Sequence, residues 1–72
     1  MDRFYELLAV KLEAPVVAPS DALRDFEAWD SLTALTIIVM ITKEFGVVIS
    51  GEELASVNTA GELQSLVIAK KR

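Results

Sequence analysis

The sequence predicts an all-α fold, a small bundle of three main helices plus one short helix. Apolar residues recur at helical spacing over Phe4, Leu7, Leu8 and Leu12 and again between Ser31 and Phe45. Two S/T-x-x-E capping boxes, Ser50 with Glu53 and Thr59 with Glu62, mark two further helix starts. The one β-like run, Val47-Val48-Ile49, is short and has no partner run, so it reads as an extended loop that buries Ile49.

In order, the first helix spans Asp2 to Ala14, with Asp2 favourable to the dipole and Pro15 disfavouring helix in the residue before it. A loop follows from Pro15 to Trp29, with Pro19 and Ser20-Asp21 as turn formers, a turn of helix over Ala22 to Asp25, and Leu23 and Phe26 pinning it to the core. The second helix runs from Ser31 to Phe45, capped by Asp30 or Ser31 and stopped by Gly46. The Ser50 box opens the short helix, Glu52 to Ser56. The Thr59 box opens the last one, Ala60 to Ala69, with Leu63, Leu66 and Val67 on one side. Lys70, Lys71 and Arg72 complement the dipole at its end.

Seventy-two residues make one domain, 1–72, whose 53% hydrophobic content must supply the core alone. There is no cysteine for a disulfide or thiolate site and no histidine for zinc, so no metal centre is expected. Eleven acids face seven bases, and three of those bases are the last three residues. That surface repels phosphate backbones and excludes nucleic acid as a partner; it suits a basic protein surface. Met1-Asp2-Arg3 opens without the segments of a signal peptide, and the apolar stretch Ile37–Ile41 is too short to span a bilayer. The expectation is a cytoplasmic monomer without membrane insertion.

Trp29-Asp30-Ser31-Leu32 sets a serine hydroxyl at the head of the second helix. A nucleophilic serine needs an adjacent base, and no histidine exists to serve. Lys43 stands about 18 Å away along the helix, at about 1.5 Å per residue. Ser31 is therefore a point of attachment or a plain N-cap, and the chain is not an enzyme.

At about 100° per residue, Ala34, Ile37, Ile38, Ile41 and Phe45 gather on one side of this helix as its core face. Leu32, Thr36, Val39 and Lys43 gather opposite, with Leu35 and Thr42 beside them. A surface helix carries charge there. This one carries an apolar strip, beginning beside Ser31, that suits partner docking.

The chain resembles the acyl carrier protein family along essentially its whole length. The resemblance is carried by Trp29-Asp30-Ser31-Leu32, Lys43-Glu44-Phe45-Gly46-Val47, Ile49, Glu53-Leu54, Val57 and Thr59-Ala60-Gly61-Glu62-Leu63. It implies that a phosphopantetheine transferase esterifies Ser31 with 4'-phosphopantetheine, Asp30 forming part of that enzyme's recognition site. The arm then carries acyl groups as thioesters for fatty-acid, polyketide or related biosynthesis. Partners would be the transferase and acyl-transferring or ketosynthase-type enzymes, meeting Leu32, Leu35, Thr36, Val39 and Lys43. Trp29 replaces the small residue of many fatty-acid carriers, and Glu44 is the only acid between Asp30 and Gly46. Both departures point to a specialised carrier. The competing expectation is a small helical adaptor without prosthetic group, in which Ser31 only caps.

Overall fold

The computed structural model describes residues 2–71. Its elements are α1 (Asp2–Lys11), a 3-10 turn η1 (Leu23–Asp25), α2 (Ser31–Phe45), α3 (Gly51–Ser56) and α4 (Ala60–Lys71). Arg72 and the Asp2 side chain, both expected to act on a helix dipole, lie outside the described residues. Among the described residues the only β pairing is an isolated bridge, Ala22 with Thr59.

The first helix ends earlier than its sequence suggests. Glu13 N–H donates to Val10 O and Ala14 N–H to Ala9 O, which is a Schellman closure with Glu13 at φ 54°. Backbone hydrogen bonding thus stops α1 at Lys11, three residues short of Ala14, before Pro15 has any say. Phe4, Leu8 and Leu12 line its buried side and Leu7 is half-buried.

α2 packs on both α1 and α3. Ile37 and Ile41 are fully buried, as the spacing predicts, but the third buried residue is Met40. Ala34, Ile38 and Phe45 are only half-buried against the core. The buried stripe is rotated toward Met40, and Ala34 and Ile38 border an open groove against the six-residue α3. Phe45 meets Phe4 with ring centroids 5.8 Å apart and lies under the Lys71 ammonium at 5.9 Å.

Both capping boxes form. Ser50 Oγ accepts from Glu53 N–H at 3.0 Å while Glu53 accepts from Ser50 N–H at 2.9 Å. Thr59 Oγ1 accepts from Glu62 N–H at 3.1 Å, and Glu62 accepts from the N–H groups of Asn58 and Thr59. Between these boxes Val57 is buried; before them Val47 and Ile49 point inward and Val48 outward, as an extended loop requires.

The long loop is stitched to the α3–α4 junction through backbone. Leu23 N–H donates to Asn58 O, Ala60 N–H to Asp21 O and Gly61 N–H to Pro19 O, all near 3 Å. The last two satisfy N–H groups that a helix start leaves without intrahelical partners. Leu23 is fully buried and Phe26 half-buried, the anchoring roles their apolar side chains suggest. This stitching fixes the chain just ahead of α2.

Candidate functional site

α2 begins where the chain passes from extended to helical backbone at Asp30, whose φ is −155°. The Asp30 carboxylate accepts from Thr33 N–H at 2.7 Å and is the N-cap. Hydrogen bonds from Thr33, its backbone N–H foremost, hold the Asp30 carboxyl below the usual carboxylate range. Ser31 is consequently the first helical residue, not the cap. Its side chain is exposed, and its hydroxyl has no hydrogen-bond partner among the described residues. An unspent hydroxyl presented on the first turn of a fifteen-residue helix is open to modification.

Ser31 lies on an open groove of about 500 Å³ between α2 and α3. Trp29, Ala34, Leu35 and Ile38 form one bank, Gly51, Leu54 and Ala55 the other. The half-buried Ile38, expected in the core, thus belongs to the groove. A larger cleft of about 620 Å³ opens between Leu12–Val16 and Asp25–Ala28, but Ser31 does not line it.

Arg24 also lines the groove. Its spacing in the sequence gives no sign of this, because its partners are more than thirty residues away. Its guanidinium donates to Ala55 O at 2.7 Å, Val57 O at 3.1 Å and Asn58 Oδ1 at 3.4 Å.

On the outer side of α2, Leu32 is 72% exposed, Leu35 57% and Val39 56%. Lys43 is exposed and Thr36 half-exposed. The Thr36 hydroxyl donates to Leu32 O, and the Thr42 hydroxyl faces two backbone carbonyls, Val47 O at 3.0 Å and Ile38 O at 3.2 Å, so both turn their polarity onto the backbone. The strip is therefore more apolar than its composition suggests. It runs along the same helix that begins at Ser31.

A family model for phosphopantetheine attachment sites matches residues 2–67. The chain belongs to this family. Comparison with curated proteins yields no match. The fold it shares is the small all-α, acyl-carrier-like one seen here. Members of the phosphopantetheine attachment-site family carry 4'-phosphopantetheine on a serine and act as acyl carriers, not as catalysts. They meet transferases and acyl-processing enzymes. The residues at the head of α2 fit that group chemically. Ser31 offers a free hydroxyl, and a helix N-terminus favours a phosphodiester. Among the described residues, no helix is long and apolar enough to cross a membrane.

Proposed function

We propose that residues 1–72 work as one carrier domain whose 4'-phosphopantetheine is esterified to Ser31. Bound there, the group supplies a thiol on which acyl intermediates are held as thioesters. The observation that carries this reading is the Ser31 hydroxyl, exposed at the head of α2 while Asp30 does the capping. None of Ser20, Ser50, Ser56 and Ser65 shares that position. Ser50 accepts from Glu53 N–H and Ser56 donates to Glu53 O, so two of the four are already engaged.

In attachment, a bond forms between Ser31 Oγ and the phosphorus of coenzyme A's pantetheine-bearing phosphate. The phosphoanhydride bond breaks, adenosine 3',5'-bisphosphate leaves, and the serine proton passes to a base on the transferase. We assign that base to the transferase, because the chain has no histidine and the Asp30 carboxylate is engaged in capping. We read the chain as a carrier and no enzyme in its own right, in keeping with its family. Asp30 serves twice, as the cap that orients the first turn and as an ionised group beside Ser31 for the transferase to recognise.

The strip Leu32, Leu35, Thr36, Val39 and Lys43 then docks acyl-transferring or ketosynthase-type enzymes. Apolar burial carries that contact, because Glu44 is the one acid on α2 and it pairs with Arg3. We read the chain as a cytoplasmic monomer serving fatty-acid, polyketide or related biosynthesis, and the apolar strip favours a specialised pathway. Intact mass after incubation with a broad-specificity transferase and coenzyme A tests the reading. Wild type gains one phosphopantetheine and Ser31→Ala gains none; an unmodified wild type or a modified variant refutes it.

A further inference from the structure

α3 forms one bank of the groove that holds Ser31, yet six residues are too few for a helix to stand by itself. Its start is secured by the Ser50–Glu53 box and by the Lys70–Glu53 ion pair at 2.8 Å, and its middle by buried Leu54. Its end depends on Arg24. The last carbonyls of a helix have no intrahelical partner. Here Ser56 Oγ donates to Glu53 O, Val57 N–H to Leu54 O, and Arg24 supplies donors to Ala55 O and Val57 O. A cation at this position also complements the helix dipole. Arg24 itself belongs to η1, whose Leu23 is fully buried and whose backbone is bonded to Asn58 O. The α3 end is thus held to a fixed part of the loop that leads into Ser31.

A protein that reaches Ser31 has to cover both banks. A standard interface buries about 800 Å² on each partner, against 4402 Å² for this whole chain. Such a footprint is roughly a fifth of the surface, and one centred on Ser31 extends over the exposed Gly51 and Ala55, which share its groove.

We propose that Arg24 is a positioning residue for arm attachment, holding α3 where the transferase meets it beside Ser31. The inference rests on attachment at Ser31. Steady-state transfer from coenzyme A is measured with the carrier as varied substrate, well below its melting temperature. Arg24→Met raises KM for the carrier at least tenfold and leaves kcat within about twofold, with faster hydrogen exchange at the Leu54 and Val57 amides. A loss of global stability alone does not move KM while the protein stays folded. Arg24→Lys keeps the charge but lacks the fork that spans two carbonyls, so it recovers part of the KM and not all. Arg3→Met removes the same charge from the ion pair with Glu44, at the far end of α2, and leaves KM within twofold. The inference is overturned by a KM for Arg24→Met within twofold of wild type, by full recovery with Arg24→Lys, or by an equal rise with Arg3→Met. If Arg24→Met does not fold, Arg24→Lys decides: an unchanged KM overturns the inference and a threefold or greater rise supports it. A wild type that accepts no arm at all refutes the Ser31 reading instead, which keeps the two failures apart.

Discussion

Gly61 and Gly51 both open helices, yet alanine at each should act in opposite directions. A Cβ on Gly61 would stand 3.0 Å from Pro19 O and 3.3 Å from Pro19 Cβ. That proline carbonyl is held in place because it accepts from Gly61 N–H at 2.9 Å. The new methyl and the hydrogen bond compete for the same few tenths of an ångström. Alanine gains up to about 1 kcal/mol over glycine in a helix interior, less in a first turn. Crowding against backbone costs typically about 1–3 kcal/mol, since backbone gives less readily than a side-chain end. Strain wins, and Gly61→Ala should lose about 1 kcal/mol, or roughly 4–8 °C in melting temperature for a domain of this size. A Cβ on Gly51 meets nothing within 4 Å, and its φ lies outside the left-handed region, so Gly51→Ala should gain a few tenths of a kcal/mol. Urea and thermal unfolding followed by circular dichroism measure both. A Gly61→Ala protein that melts at or above wild type would refute the close-approach argument.

Three further outcomes are expected. Phe4→Ala removes a fully buried ring and should cost about 3–5 kcal/mol, while Phe45→Ala, half-buried, should cost clearly less; the reverse order in urea midpoints would contradict the packing. Asp30 is held below its usual range by Thr33, and Glu53 by Lys70 first and then Ser50 N–H. Carboxyls depressed in the folded state stabilise it above their unfolded values of about 3.9 and 4.3, and that contribution is lost as pH falls through the folded values. Unfolding midpoints should therefore drop on acidification below about pH 5, and Asp30→Asn with Glu53→Gln should flatten that limb; an unchanged acid limb would count against both. Val39→Asp should weaken binding of the cognate acyl-processing enzyme at least tenfold, about 1.4 kcal/mol, and more than Lys43→Ala does, with only gentle salt dependence. A steep salt dependence with harmless Val39→Asp would move the docking surface to Asp21, Asp25, Glu27 and Asp30.

What could be read in the sequence was local. The capping boxes at Ser50 and Thr59 use partners three residues apart, and both formed as their spacing implied. Gly46, at φ 69°, ends α2 because the left-handed cap favours a residue without Cβ. Glu13 takes the same conformation without being glycine, so nothing in its chemistry announced the early end of α1. The core face of α2 was legible at Ile37 and Ile41 but not at Met40, whose burial is set by how the other elements pack around α2. Around the site, the exposure of Leu32, Leu35 and Val39 followed from periodicity, while the choice of Asp30 over Ser31 as the cap showed only in the structure. Arg24 and the contact of Pro19 with Gly61 also showed only there, since each joins segments that only the tertiary fold brings together.

Tandem mass spectrometry of peptides from the arm-loaded protein tests the central claim most directly. The account predicts one phosphopantetheine per chain, borne by the peptide that contains Ser31 and lost from it on fragmentation. An arm located on Ser20, Ser50, Ser56 or Ser65 would contradict it.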